Sequence, residues 1–363
     1  MKAKSGIIIT GSVVGFMGVL LVYFGNPANM GFCIACFIRD IAGGLGFQRA
    51  EVVQYIRPEV IGLVLGSFFL ATKNKEFSSR GGSSPFTRFV LSIIVMIGAL
   101  VFLGCPLRMV LRIAGGDLNA IVGLVGFVAG IYVGVFYLNK GFNLKRSYKL
   151  TSFEGYLFPA VNVGLLILLI VAPAFLFFSQ TGPGASAAPI WIALTSGLIV
   201  GILGQKSRLC TVGGIRDMIL FRDSYLLLGI LSILVISFIG NLLLGYFNPG
   251  FTGQPIAHTD GLWNFLGMAL VGWASVLLGG CPMRQLILAG EGNTDSVISV
   301  IGLFVGAGIS HNFGLASSAE GATLNGQISI VISILILLTI SLANSEFLIK
   351  NKTLIGGKIN EDN

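Results

Sequence analysis

Two copies of a Gly-Cys-Pro-x-Arg motif hold the residues best suited to chemistry. Their cysteines, Cys105 and Cys281, lie 176 positions apart, and each copy follows an apolar run and precedes a short segment that ends at glycine. Proline favours the first position of a helix, so each cysteine is predicted at the N-cap. Free backbone N–H groups and the positive end of the helix dipole meet there and stabilise a thiolate or a bound anion. The motif thus pairs a polarisable sulfur with an arginine, Arg108 or Arg284.

A second type of cysteine segment repeats at nearly the same interval. Cys33 stands six residues before the Arg-Asp pair that begins at Arg39, and Cys210 stands six residues before the pair that begins at Arg216. These matches predict a chain of two related halves, each with two cysteine segments. Cys36, the fifth cysteine, aligns with a glycine of the second half and has no counterpart.

The composition predicts an all-α polytopic membrane protein. The chain has 363 residues, of which 54% are hydrophobic and only 10% are charged, whereas soluble domains carry about 25% charged residues. The net charge of +8 does not indicate nucleic-acid binding, because the basic residues fall in short clusters between apolar runs without interleaved aromatics. Such clusters are typical of loops on the cytoplasmic face of a membrane.

Ten apolar runs are predicted to span the membrane, five in each half. The first, residues 6–24, resembles a signal peptide but is read as a retained span because no small-residue cleavage site follows. Glycines such as Gly126 and Gly130 predict close helix packing. Residues 26–46, with Cys33, are predicted to form a half-helix. The remaining predicted spans are residues 60–72, 89–103, 118–138, 156–178, 190–203, 224–246, 262–278, 296–311 and 327–342.

The charge distribution orients these spans. With both termini cytoplasmic, 18 of the 23 lysines and arginines fall on the inside. The five left outside lie in or beside the cysteine segments of the first half. An odd number of spans per half makes the repeats inverted, as in many transporters. The predicted units are a first repeat at 1–178, a second at 179–349 and a basic, polar cytoplasmic tail at 350–363, in a cell inner membrane.

The arginines of the cysteine segments allow a functional and a structural interpretation. An arginine inside a membrane is costly, so Arg108 and Arg284 are predicted to meet an anionic substrate or a wet cavity. The structural alternative is an ion pair, either Arg39 with the adjacent Asp40 or Arg108 with Asp117. For Arg39 and its counterpart in the second half, both interpretations stay open.

Metal and cofactor chemistry finds little support in the sequence. Cys33 and Cys36 have the spacing of a metal or redox pair, but zinc needs two further ligands and none is near. His258 and His311 are too few and too scattered for a relay, and are expected in a loop or at a span end. No phosphate-binding GKT/S stretch is present. We therefore expect no metal and no cofactor.

The repeated motifs resemble the YeeE/YedE membrane family, the sulphur-transport family, over nearly the whole chain. The duplicated length and the two Ile-Arg-Asp segments are similar to the YedE branch, described as selenium transporters, whereas the YeeE branch is associated with thiosulfate uptake. The resemblance implies short half-crossing helices around a narrow neck, where cysteines hand a sulfur-bearing anion across. The predicted substrate-binding residues are Cys33, Cys105, Cys210, Cys281, Arg108, Arg284, Arg39 and Arg216.

Two functional classes follow from these residues. The leading hypothesis is a transporter, not an enzyme, for a small selenium- or sulfur-containing anion, and inverted symmetry favours it because an enzyme needs no matched sites on both faces. The alternative is a membrane sulfurtransferase or redox protein that uses Cys33 and Cys36. The expected partners are the anion, membrane lipid and, by resemblance, a TusA-like cytoplasmic sulfur carrier.

Overall fold

A computed structural model describes residues 2–345 of the chain; Met1 and residues 346–363, which include the predicted tail at 350–363, lie outside the described part. The described chain is almost entirely helical, as predicted. Its helices are α1 Lys2–Tyr23, α2 Ile34–Gly44, α3 Pro58–Lys73, α4 Pro85–Val101, α5 Pro106–Ala114, α6 Leu118–Asn139, α7 Ser152–Val171, α8 Ile190–Ser207, α9 Thr211–Phe221, α10 Tyr225–Leu243, α11 Gly261–Leu278, α12 Pro282–Gly290, α13 Thr294–Asn312 and α14 Leu324–Ala343.

The helices fall into two length classes. Within residues 2–345, nine segments are long and apolar enough to cross a membrane, and α3, with 16 residues, is a tenth long helix. The other four helices, α2, α5, α9 and α12, have 9 or 11 residues. The protein is therefore a multi-pass membrane protein, and each predicted span overlaps one of its long helices.

The span predicted at residues 156–178 is wrong at both ends. Helix α7 begins at Ser152 and ends at Val171, and the chain continues as a 3-10 turn, Pro173–Phe175. Pro173 lacks the N–H that an α-helix would need there, which explains why the helix ends before the apolar run does.

Both halves repeat one order of helices: long, short, long, long, short, long, long. Equivalent helices exchange partners between the halves. Helix α1 packs along α10 and its equivalent α8 packs along α3, while α4 packs along α13 and its equivalent α11 packs along α6. The contact pattern is therefore that of two similar units related by a pseudo-twofold axis.

Each of these four helix pairs runs in parallel, which is visible at the glycine contacts. In α6, Gly126 faces Phe265 of α11, and Gly130, one turn later, faces Ala269, also one turn later. Gly11 and Gly15 of α1 face Gly229 and Ile233 of α10 in the same way. The α8–α3 and α13–α4 pairs follow the same rule, with Gly197 on Glu59, Gly201 on Leu63, Gly302 on Phe89 and Gly306 on Ile93.

The last long helix of each half departs from this symmetry. Helix α7 packs against α3 and α12, whereas α14 packs against α4 and α11. By symmetry with α7, helix α14 would pack against α10 and α5, but it packs elsewhere. A groove of about 360 Å³ stays open beside α5, α6 and α10, lined in part by Ile113, Ile121 and Phe238.

The loops gather at one end through short polar contacts. The strands Arg80–Gly81 (β1) and Tyr148–Lys149 (β2) form an antiparallel pair, which joins the α3–α4 loop to the α6–α7 loop. The Asp295 carboxylate accepts N–H bonds of 2.9 and 3.0 Å from Gly82 and Ser83, which ties the start of α13 to the same end. All three connections were predicted on the cytoplasmic side.

Candidate functional site

Four cysteines cap the four short helices. Cys105 and Cys281 are the N-caps of α5 and α12, each followed by proline, as the motif predicts. Cys33 and Cys210 are the N-caps of α2 and α9, a role that the sequence analysis did not assign to them. All four are buried and have extended backbones. In α2 and α9 the capping sulfur also accepts an N–H from the first turn of its own helix.

Cys33 and Cys105 form what we call the first thiol pair. Their side chains lie against each other. The Cys33 sulfur accepts the N–H of Cys36 at 3.3 Å, and the Cys105 sulfur faces the backbone N–H groups of Ala35 and Arg108. Two helix N-termini, those of α2 and α5, therefore meet at one pair of sulfurs.

Cys210 and Cys281 form the second thiol pair with the same plan. The Cys210 sulfur accepts N–H bonds from Gly213 at 3.3 Å and from Cys281 at 3.4 Å. The Cys281 sulfur faces the N–H groups of Thr211 and Arg284. The Thr211 hydroxyl lies near the same sulfur, and its buried oxygen has no hydrogen-bond partner within the described residues.

Arg108 lies fully buried beside the first thiol pair. Its guanidinium donates to the backbone carbonyls of Asn29 (3.1 Å), Ile256 (3.1 Å) and Leu103, and its Nη1 lies 3.7 Å from the Cys36 sulfur. Within residues 2–345, no carboxylate lies within ion-pair distance of Arg108. The alternative that paired it with Asp117 is wrong, because Asp117 binds Arg112 at 2.7 Å.

Arg284, the counterpart of Arg108, is paired. Its Nη1 lies 3.2 Å from an oxygen of Glu291, and the side chain is 10% exposed. The second oxygen of Glu291 lies 3.3 Å from Arg208, which is half exposed. The two pseudo-equivalent arginines therefore differ in charge environment.

Arg39 and Arg216 each form an ion pair with the next residue. Arg39 binds Asp40 at 2.7 Å, and Arg216 binds Asp217 at 2.8 Å. The ion pair of the structural interpretation is thus present at Arg39. Asp40 is also bound at 2.7 Å by the fully buried Arg57, a residue that the motifs did not single out.

The two histidines lie away from the thiol pairs. His258 is in the α10–α11 loop, where burial lowers the pKa of its ring and Nε2 meets the carbonyl of Val101 at 2.8 Å. His311 lies in the last turn of α13. In the described part of the chain, no group of three or more His, Cys, Asp or Glu side chains is placed to hold a metal ion.

Comparison with known proteins supports the family resemblance. The model of the family described as "Sulphur transport" matches residues 206–352, which carry the second thiol pair. A stretch of 119 residues is 31% identical to "Thiosulfate transporter TsuA" of Spirochaeta thermophila. That match covers 33% of this chain and spans only 35% of the relative's length.

The structure also places residues that the motifs did not mark. Thr211 faces Cys281, and Glu291 binds Arg284. Position 211 directly follows a cysteine and position 291 follows the glycine that ends α12, so both lay next to a marked residue. Neither has an equivalent of the same type in the first half, where Ile34 and Gly115 stand, so the internal repeat gives no signal for them.

Proposed function

We propose that this protein is a membrane transporter for a small anion that carries sulfur or selenium, with thiosulfate as the first substrate to test. The substrate passes the two thiol pairs in turn, and the unpaired Arg108 supplies positive charge at the first pair. Arg284, Arg39 and Arg216, each ion-paired with a carboxylate, are the further proposed substrate contacts. The family match and the thiosulfate transporter similar to one third of the chain support the substrate class.

The meeting of two helix N-termini at each thiol pair carries the proposal. Helix N-termini offer backbone N–H groups and a positive dipole end, which stabilise an anion without a full charge. Thiols are weak, polarisable donors and suit a sulfane sulfur or selenium atom better than a hard oxygen. The two pairs, Cys33–Cys105 and Cys210–Cys281, repeat this environment along the chain.

Arg108 supplies the charge that draws the anion to the first thiol pair. An anion must lose water to reach a buried site, which costs several kcal/mol unless new partners replace that water. The guanidinium of Arg108 is bonded to neutral carbonyls, which substrate oxygens can replace as acceptors. A planar donor fork also suits the oxygens of thiosulfate or selenite.

The direction of the helix pairs supports an inverted repeat. Consecutive long helices of a polytopic chain alternate in direction, so α1 and α3 are opposed. Helix α10, the equivalent of α3, nevertheless runs parallel to α1. The second half is then inverted relative to the first, and the two thiol pairs face opposite sides of one narrow neck. This is the arrangement of many alternating-access transporters.

The cellular setting follows from the same orientation. We place the protein in a cell inner membrane with both termini in the cytoplasm, because this puts the basic loops inside. A TusA-like sulfur carrier is the proposed cytoplasmic acceptor of the transported sulfur.

A redox or sulfurtransferase function rests on Cys36. Its N–H reaches the Cys33 sulfur, and its own sulfur lies 3.7 Å from a guanidinium nitrogen of Arg108. Cys36 has no counterpart in the second half, where Gly213 stands. If the redox function is correct, Cys36 is essential; in the transport proposal, it is dispensable.

The test is uptake of radiolabelled thiosulfate into proteoliposomes. We expect Cys105→Ser and Cys281→Ser to reduce the initial rate to near the protein-free background, because serine keeps the size but loses the polarisable sulfur. Cys36→Ser is the matched control and should retain most of the rate. If Cys105→Ser and Cys281→Ser both take up thiosulfate at the normal rate, the thiols are packing residues. If only Cys36→Ser loses uptake, the redox function is favoured.

A further inference from the structure

Glu59 is a buried carboxylate to which the proposed transport path gives no role. It lies in the first turn of α3 and is fully buried. One of its oxygens, Oε1, accepts an N–H bond of 2.8 Å from the Asn26 side chain. The other oxygen, Oε2, is also buried and has no hydrogen-bond partner within residues 2–345. An ionised carboxylate in this setting lacks the donors that would offset its loss of water.

Glu59 also has no counterion. Within residues 2–345, no cation lies within ion-pair distance of it. Arg57, two residues earlier, binds Asp40 at 2.7 Å and donates to the carbonyls of Pro183 and Ser186. The dipole of α3 favours a carboxylate in its first turn, but this does not explain an oxygen without a partner. Glu59 therefore has the setting of a group that gains and loses a proton.

The titratable groups near Glu59 come from α2 and from the loop that follows it. They are Asp40 of α2 and the loop residues Tyr55 and Arg57. On another side, α8 meets Glu59 with Gly197. The groove beside the next residue of α3 is lined from α7 and α12 by uncharged side chains. A change of charge at Glu59 is therefore felt first by the ion-pair network of Arg57.

The segment that links α1 to α2 joins Glu59 to the first thiol pair. The Asn26 amide that binds Glu59 belongs to this segment. Three residues later, the Asn29 carbonyl accepts a bond of 3.1 Å from Arg108, and the segment ends at Cys33, the N-cap of α2. The partner of the carboxyl group, an acceptor of Arg108 and a thiol of the pair therefore lie within eight residues of one another.

The charge near the first thiol pair changes sign when a divalent anion enters. Arg39 and Arg108 both lie near this pair, and Arg57 shares Asp40 with Arg39. Three arginines and two ionised carboxylates leave one positive charge, whereas thiosulfate brings two negative ones. A nearby anion favours the neutral form of a carboxyl group. Because Asp40 is held by two arginines, Glu59 is the carboxylate that remains to take a proton.

We infer that Glu59 is a proton site coupled to anion binding: Oε2 takes up one proton from solution when the anion occupies the first thiol pair and releases it when the anion leaves. The inference rests on the proposed function. Such coupling is reciprocal, so a proton on Glu59 tightens anion binding by the same factor. Moving a divalent anion into a cell with a negative interior is costly, and a proton that travels with the anion lowers that cost by one charge.

Calorimetric titration of the purified full-length protein with thiosulfate tests the inference. The heats in buffers of different ionisation enthalpy give the number of protons taken up per bound anion. For the unsubstituted protein we expect about one proton, and an affinity that falls by about tenfold for each unit rise in pH in the range where Glu59 changes state. Glu59→Gln mimics the neutral carboxyl group, so it should bind thiosulfate with no such proton uptake.

Two further variants complete the calorimetry. Glu59→Asp keeps a titratable group and should keep the proton uptake. Glu51→Gln is the matched control, because Glu51 is exposed in the loop before α3, and it should behave like the unsubstituted protein. An unchanged proton count in Glu59→Gln, or no proton uptake by the unsubstituted protein, would overturn the inference. Binding that depends on Na⁺ or K⁺ in place of pH would also overturn it, because Glu59 would then hold a metal cation.

Transport separates loss of coupling from loss of folding. In proteoliposomes, Glu59→Gln should still exchange labelled for unlabelled thiosulfate at close to the unsubstituted rate. It should no longer accumulate thiosulfate in response to an inward proton gradient, whereas the unsubstituted protein and Glu51→Gln should. If the unsubstituted protein transports thiosulfate but ignores the gradient, the inference is overturned and the proposed function stands. If the unsubstituted protein neither binds nor transports thiosulfate, both are overturned.

Discussion

Arg108 differs from the other buried arginines in its partners. Arg39, Arg57, Arg112 and Arg284 each lie within 3.2 Å of a carboxylate. Arg108 is fully buried, yet within residues 2–345 its guanidinium meets only carbonyls and a sulfur. A buried charge without a counterion is expensive, and an anion that visits the site would offset that cost.

The first prediction concerns the shape of this cation. Lysine keeps the charge of Arg108 but loses the planar fork, which holds several acceptors at once. We expect Arg108→Lys to be produced normally and to lower thiosulfate uptake by about tenfold, as charge-assisted hydrogen bonds are worth about 1.5–3 kcal/mol each. The measurement is the initial rate in proteoliposomes.

The exposed Arg49 provides the control for that change. Arg49→Lys lies in the same half of the chain and should leave uptake unchanged. Wild-type uptake in Arg108→Lys would assign Arg108 to the fold alone.

The sequence predicted part of the site at this scale. Proline after Cys105 and Cys281 marks a helix start, so their N-cap positions followed from local chemistry. Cys33 and Cys210 are followed by isoleucine and threonine, which give no such signal. Their role as caps has no such mark in the sequence, and the contact of Glu291 with Arg284 joins two residues of α12 that no motif pairs.

At the scale of helices, glycine sets the distance between the paired long helices. A Cβ at Gly130 of α6 would lie 1.9 Å from the carbonyl oxygen of Ala269, and one at Gly126 would lie 2.1 Å from that of Phe265. The backbones of α6 and α11 are therefore in direct contact, which only small residues permit. Because α11 leads into Cys281, this contact also positions the second thiol pair.

The second prediction tests that contact. Gly130→Val should destabilise the protein by about 1–3 kcal/mol or more, because the added side chain must push α11 away. Thermal unfolding of the purified protein, monitored by size-exclusion chromatography, measures this loss of stability.

Gly164→Val is the matched control for this change. Gly164 lies in α7, and a Cβ there would have no heavy atom of another residue within 4 Å. The melting temperature of the Gly164→Val protein should therefore equal that of the unsubstituted protein. Equal stability of the two variants would contradict close packing of α6 on α11.

Close helix packing at these glycines was predicted from the sequence and is confirmed. Small residues repeated every four positions mark a helix face that a neighbour can approach. Which helix approaches could not be predicted, because α6 and α11 are separated by four other helices in the chain. That choice belongs to the packing of the two halves.

For the whole molecule, the exchange of partners between the halves is the organising feature. Each of the four main pairs joins a helix of one half to a helix of the other. Neither half can bury these helix faces alone, so the two must fold together. The internal repeat could be predicted from the 176-residue interval between the motifs, but the departure of α14 from the symmetry could not, because no motif in α14 marks the helices against which it packs.

The third prediction tests the inversion of the repeats. The α3–α4 loop and the α10–α11 loop are equivalent, so inverted halves place them on opposite sides of the membrane. Asn74 and Thr252 are exposed in these loops. With an impermeant maleimide applied to intact cells, we expect Thr252→Cys to be labelled and Asn74→Cys to be labelled only in inside-out vesicles.

The native protein is the background for this labelling. Its five cysteines are buried and free, and they should react little with a bulky reagent. If both introduced cysteines are labelled from the same side, the repeats are parallel and the inverted arrangement is wrong.

The central claim is that the path selects an anion with a soft sulfur or selenium atom. Charge alone would serve sulfate and phosphate equally well, whereas four thiols at matched helix N-termini favour a polarisable atom. The most direct measurement is the flux of radiolabelled thiosulfate into proteoliposomes that contain only this protein, with unlabelled anions as competitors. We predict a flux above protein-free liposomes that thiosulfate and selenite suppress strongly and sulfate and phosphate suppress weakly. Equal suppression by sulfate, or no flux above the protein-free control, would contradict the account.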